Sequence, residues 1–152
     1  MVSDVEVGTF LSGGVDSGFI AVSSGAKMAF TVGFLDGNSG YNEENMAREV
    51  ARYAHLSYHM HTIGKKEFWD VLPKVMYALD EPSGDASAVA MYFLAAEASR
   101  YVKVVLSGEG ADELFGGYNI YREPLALQKV AWIPEKIRRA VSRQAKKLPD
   151  RC

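Results

Sequence analysis

Apolar positions alternate along the chain between near-continuous runs and helical spacing. Val5 to Leu11 is an apolar, β-prone run, followed by a Gly–Ser turn and a segment, Val15 to Ser24, that predicts a helix. Lys27 to Leu35, with Ala29-Phe30-Thr31-Val32-Gly33-Phe34 inside it, predicts a second strand. Asp36 to Gly40 is turn chemistry, and Asn42 is expected to cap the next helix, with Glu43 and Glu44 where the helix dipole favours acids. Met46, Ala47, Val50, Ala51 and Ala54 carry that helix to about His55. Ser57 to Ile63 alternates Tyr58, Met60 and Thr62 with His59, His61 and Ile63, which predicts a third strand.

Phe68, Val71, Leu72, Val75, Met76 and Leu79 space a helix over Lys65 to Leu79, with Pro73 a threat to its continuity. Asp80 to Asp85 reads as a loop, and Ala86 to Tyr101 as a buried helix. Val102 to Leu106 predicts a fourth strand, apolar enough to be covered on both faces. Ser107 to Tyr118 is a second Gly-rich loop, and helices are expected over Ile120 to Val130 and Pro134 to Leu148. Strands alternating with helices predict an α/β fold with a mainly parallel sheet flanked by helices. Both Gly-rich loops directly follow strands, at the edge where such sheets bind ligands, so they can face one crevice.

Composition narrows this picture modestly. The 152 residues are 48% hydrophobic, enough for one domain with a real core. No apolar run approaches the roughly 18 to 20 residues of a membrane span. The single cysteine, Cys152, excludes a disulfide scaffold within the chain and favours a cytoplasmic setting. A net charge of -2 gives no reason to expect a nucleic-acid partner. Arg122 to Arg151 carries nine Lys/Arg against three Asp/Glu, and is best read as a solvated helix face. That change in composition divides the chain into a core, 1–121, and a basic helical extension, 122–152.

The chemistry sits in the two loops. In Leu11-Ser12-Gly13-Gly14-Val15-Asp16-Ser17-Gly18, a strand, a small-residue turn and a helix start together make an anion cradle. Ser12 and Ser17 can donate to phosphate oxygens. Asp16 repels phosphate unless a cation intervenes, which makes it a candidate Mg²⁺ ligand. The loop is no Walker A motif, because no lysine follows its glycines. The Asp16-Ser17-Gly18 triplet also lacks the His and Asp context of a protease serine. The second loop, Ser107-Gly108-Glu109-Gly110-Ala111-Asp112-Glu113-Leu114-Phe115-Gly116-Gly117-Tyr118, sets three acids within five residues, unsuited to a pyrophosphate without cations. Those acids suggest a metal ligand and a group that orients an amine or substrate. His55, His59 and His61 lack a completing carboxylate or cysteine and are read as packing or surface residues. Asp80-Glu81-Pro82 and Asp85 are read as caps or turns before catalysts.

Ser12-Gly13-Gly14-Val15-Asp16-Ser17 resembles the pyrophosphate-binding loop of the N-type ATP pyrophosphatases, the PP-loop family. Together with Ser107 to Tyr118 it resembles the synthetase domain of glutamine-dependent asparagine synthetases; Ser3-Asp4-Val5, Phe30 to Phe34, and Asp80-Glu81-Pro82 with Asp85 and Ser87 agree. The resemblance implies ATP and Mg²⁺, cleavage between the α and β phosphates, and conversion of aspartate to asparagine through a β-aspartyl-adenylate attacked by ammonia, with AMP and pyrophosphate released. By position, Ser12, Gly13, Gly14, Asp16 and Ser17 would hold the pyrophosphate portion. Asp16 and Asp112 would ligate Mg²⁺. Leu11, Val32 and Gly33 would line the adenine pocket through their backbones. Gly108 would approach nucleotide or substrate, and Glu109 would position ammonia or take its proton.

The departures shape further expectations. Family members carry an amino-terminal glutaminase domain with a cysteine nucleophile, and a later catalytic lysine; neither has a counterpart in this sequence. The chain is therefore expected to be a fragment, with an exposed apolar patch where other parts dock, a glutaminase domain or chain as partner, and self-association as an outcome. The alternatives are a nucleotide-binding module without turnover, and a related β-lactam-forming or peptide-cyclising synthetase.

Overall fold

In the computed structural model, residues 2–35, 43–81, 83–128 and 132–145 are described. They fall into two compact units, Met1–Glu109 and Gly110–Cys152. The shift to basic composition near Arg122 lies inside the second unit.

The first unit is a four-stranded, wholly parallel sheet in the order β3-β2-β1-β4, built from β1 (Val7–Phe10), β2 (Met28–Phe34), β3 (Ser57–Ile63) and β4 (Val104–Leu106). The chain steps outward from β1 to β2 to β3, then returns to place β4 on the other side of β1. The strand order therefore reverses between β1 and β4, the topological switch point where open α/β sheets bind ligands.

Four helices cover the sheet: α1 (Val15–Ser23), α2 (Glu43–Tyr53), α3 (Lys65–Leu79) and α4 (Ser87–Ala98). Alternation along β2 assigns its two faces. Ala29 joins Leu11, Ala21, Ala47 and Ala51 in the layer beneath α1 and α2. Its neighbour Phe30 points the other way, to Ala98 and Val102, while Ile63, Val75, Val89 and Phe93 pack beneath α3 and α4. The small side chains of the first layer let α1 and α2 sit close to the sheet, which fixes where the first loop lies.

Several expectations change in detail. Val5 is exposed, so β1 begins at Val7. α3 runs unbroken through Pro73. Pro73 and Trp69 are both exposed, so the Trp69 carbonyl that loses its helical donor can turn to water. α4 is not buried all round: Val89, Phe93 and Ala98 are buried, whereas Met91 is exposed. β4 is shorter than Val102 to Leu106 and is not covered on both faces; it is an edge strand, and Val104 is exposed. α2 ends with His55 at φ 55°, where the His55 N–H donates to the Arg52 carbonyl and the Leu56 N–H to the Ala51 carbonyl, the double closure of a left-handed helix stop. The expected turn at Asp36–Gly40 and cap at Asn42 lie outside the described residues.

The second unit holds α5 (Ala111–Phe115), a 3₁₀ turn at Asn119–Arg122, α6 (Glu123–Gln128) and α7 (Glu135–Ala145). The second Gly-rich stretch is thus not wholly loop. Gly110 at φ 89° and Gly116 at φ 69° bracket a short helix, with Asp112 and Glu113 in its first turn. No helix among the described residues is long and apolar enough to cross a membrane.

Candidate nucleotide site

The first loop is held from below by β2. The Leu11 N–H donates to the Phe30 carbonyl at 2.9 Å, and the buried Thr31 hydroxyl donates to the Leu11 carbonyl at 2.6 Å. Both polar groups of the Leu11 peptide are therefore fixed before the chain turns. Gly13 then takes φ 85°, and a Cβ there would stand 2.6 Å from the Glu43 carbonyl oxygen. Only glycine lets the turn press this closely on the first turn of α2.

The two serines tie the turn together. Ser17 Oγ accepts the Ser12 N–H at 3.2 Å, lies 3.0 Å from Ser12 Oγ, and donates to the Gly14 carbonyl at 3.2 Å. The Gly14 N–H donates to Ser12 Oγ at 3.3 Å. Gly14 is the N-cap of α1 and supplies no side chain to its open donors. The Gly18 N–H reaches the Gly14 carbonyl, but the amides of Val15, Asp16 and Ser17 lie in the first turn, which has no internal acceptors. Three such amides with the helix dipole behind them attract an anion. The Asp16 side chain is exposed at this turn and makes no hydrogen bond or ion pair among the described residues.

Gly108, after β4, closes the other side of the switch point. A Cβ there would meet the Ser17 nitrogen at 2.8 Å and the Asp16 carbonyl carbon at 3.1 Å. The residues directly after β4 thus meet the first loop, and the close approach of Gly108 is to that loop's backbone. Glu109 follows, exposed, its N–H donating to Ser107 Oγ at 3.1 Å.

The end of β2 offers a second feature. Pairing with β1 stops at the Phe10–Phe30 rung, while pairing with β3 runs on to Phe34–Ile63. Successive residues of a strand aim their backbone groups at opposite neighbours. The Phe30 carbonyl faces β1, so the N–H and carbonyl of Val32 face the same side, past the last β1 rung. The Val32 side chain packs in the layer beneath α3 and α4. Gly33 is buried, and the space its side chain would fill holds the Glu44 carboxylate and the Met60 methyl group. Glu44 carried no signal in the sequence beyond an acid in a first helical turn; its approach to Gly33 is a tertiary contact.

Asp112 belongs to the second unit. Its carboxylate lies against the α-carbon of Gly117, whose N–H donates to the Asp112 carbonyl at 2.9 Å. In the same unit, the Tyr118 hydroxyl donates to Glu113 Oε1 at 2.8 Å. That hydrogen bond, followed by the Glu113 charge, pushes the Tyr118 phenol up to about 12. Two of the three histidines pack, and His55 is exposed. His59 stacks on Phe30 at 5.3 Å and His61 on Phe93 at 5.2 Å, with His61 Nε2 3.0 Å from Glu67 Oε1. Asp85 caps: its carboxylate accepts the Ser87 N–H at 2.8 Å, and bonding from Ser87 lowers its pKa. Among the described residues no group of three His, Cys, Asp or Glu could hold a metal by itself. An apolar groove of about 680 Å³ flanks the first loop, with exposed Val15, Phe19, Val22 and Tyr53 on its walls.

These features define an α/β domain of the PP-loop synthetase type. The sequence profile described as asparagine synthase matches residues 1–151, so the chain belongs to the asparagine synthase family. It is 44% identical over 156 residues to the glutamine-hydrolyzing asparagine synthetase 1 of Bacillus subtilis, covering 99% of this chain and 24% of that relative. It is 30% identical over 131 residues to the protein of the same name from Arabidopsis thaliana, covering 78% of this chain and 22% of that one. The chain spans about a quarter of the length of these curated relatives.

Proposed function

We propose that this chain supplies the ATP site of a synthetase that converts aspartate to asparagine, releasing AMP and pyrophosphate. The observation that carries this reading is the start of α1: three amides without helical acceptors, two linked serine hydroxyls and a left-handed glycine, gathered at the switch point. That set suits the β and γ phosphates. The backbone donors are fixed before the nucleotide arrives, so they stabilise developing pyrophosphate charge without reorganising. The free backbone groups of Val32 suit the hydrogen-bonding edge of adenine, with Leu11 and Gly33 beside it.

Magnesium fits the donor set, since the exposed Asp16 carboxylate has no protein partner among the described residues and adjoins the cradle. Asp16 is the residue of the first unit assigned to hold it. The bound ion would neutralise phosphate charge as the leaving group departs. Glu109 is assigned to orient ammonia and accept its proton as it attacks the β-aspartyl-adenylate. A glutaminase domain or chain is the proposed ammonia source, and the cytoplasm the proposed setting.

Titration calorimetry of the chain with ATP, with and without Mg²⁺, tests the site. Magnesium-dependent binding that is lost in Asp16→Ala is the expected result. Unchanged affinity in that variant removes Asp16 from the site. Aspartate-dependent release of pyrophosphate would separate a synthetase from a module that binds without turnover.

A further inference from the structure

Among the described residues, Glu44 places its carboxylate at the end of β2. It lies in the first turn of α2, half-buried, with its carboxylate against the α-carbon face of Gly33. It makes no hydrogen bond or ion pair among the described residues, whereas Glu67 and Glu97 are each paired. A partly desolvated carboxylate without a donor is costly to keep, and a ligand donor would relieve that cost. The adjoining residue is Val32, whose N–H and carbonyl face the open side of β2.

We propose that Glu44 is a specificity-determining residue that selects a 6-amino purine over a 6-oxo purine. This rests on the nucleotide reading above. The exocyclic amine of adenine carries two hydrogens. The Val32 carbonyl accepts one and the Glu44 carboxylate accepts the other, while the Val32 N–H serves the ring acceptor at position 1. A 6-oxo purine sets an acceptor oxygen where Glu44 also has one, and two acceptors with no hydrogen between them repel. Gly33 belongs to the same device, because any side chain there would take the place of the carboxylate.

The test compares ATP with inosine triphosphate, which differ at the 6-position and in the hydrogen that the 6-oxo purine carries on N1, by calorimetry with Mg²⁺ on the whole chain. Wild type is expected to bind ATP about tenfold or more tightly than inosine triphosphate. In Glu44→Gln the amide can donate to the 6-oxo group, so the ratio falls below the wild-type value, the Val32 backbone still favouring adenine. Glu44→Ala weakens ATP about tenfold and, with the repulsion gone, binds inosine triphosphate more tightly than wild type does. Glu49→Gln, on an exposed part of α2, makes the same charge change and keeps the wild-type ratio. A wild-type ratio in folded Glu44→Gln overturns the assignment while leaving the nucleotide site standing. Equal gains for both nucleotides in Glu44→Gln and Glu49→Gln overturn it too, since general charge then explains them. Failure of folded wild type to bind either nucleotide overturns this inference and the proposed function together.

Discussion

Gly13 and Gly14 are neighbours in one loop, yet the same substitution should affect them very differently. At Gly13, alanine would be held at φ 85°, and its Cβ would lie 2.6 Å from the Glu43 carbonyl oxygen, 3.0 Å from Met46 Cβ and 3.1 Å from the Ala47 nitrogen. The left-handed conformation costs about 1–2 kcal/mol. Forcing the first turn of α2 to move adds about 1–3 kcal/mol of overpacking. Gly13→Ala is therefore expected to lose about 2–5 kcal/mol. Gly14 has φ -71° and ψ 163°, open to any residue, and a Cβ there meets only Ser12 Oγ at 3.3 Å. Its replacement weakens an N-cap slightly and stiffens the unfolded chain, so Gly14→Ala should stay within about 1 kcal/mol of wild type. Urea unfolding separates the two, because a slope of about 1–3 kcal/mol/M turns the first loss into a midpoint drop of roughly 1 M or more. Equal midpoints for the two variants would refute the reasoning, since then neither the dihedral nor the contact with α2 governs the loop.

Ser17→Ala removes the acceptor of the Ser12 N–H and the donor to the Gly14 carbonyl, so it should cost about 1–3 kcal/mol in urea unfolding and weaken nucleotide binding in calorimetry. Gly18→Ala should do the opposite and stabilise by about 0.5–1 kcal/mol, since its Cβ would sit 3.9 Å from the Val50 methyls within regular helix. A Tyr118 phenol raised to about 12 means that the protonated form is favoured by the fold; its contribution is complete below the ordinary phenol range near 10 and is lost as pH rises through about 12. Ultraviolet titration should show this tyrosine ionising late, and Glu113→Gln should return it toward the ordinary value.

Most of the first unit is legible from local pattern. The alternation over Ser57–Ile63 and the helical spacing over Lys65–Leu79 match the observed elements residue for residue. Pro73 misleads only because sequence does not reveal that its turn of α3 faces solvent. The ends of β1 and β4 are less legible, because strand length depends on which neighbour is present: Val5 and Val102 are apolar but lie outside the ladders. In the second loop, counting glycines hid the helix that two of them bracket. The turn into α1 is legible because its residues are consecutive. Thr31 on Leu11 and Glu44 on Gly33 were not, since each contact joins separate elements and depends on how α2 and β2 meet.

The central claim is that the open amides of α1 bind the phosphates of ATP. Amide-resolved magnetic resonance of the chain, titrated with ATP and Mg²⁺, tests it most directly. Saturable shifts concentrated at Val15, Asp16 and Ser17 are expected, with the buried Val75 of α3 unmoved. A folded chain whose Val15–Ser17 amides stay still at saturating nucleotide would contradict it.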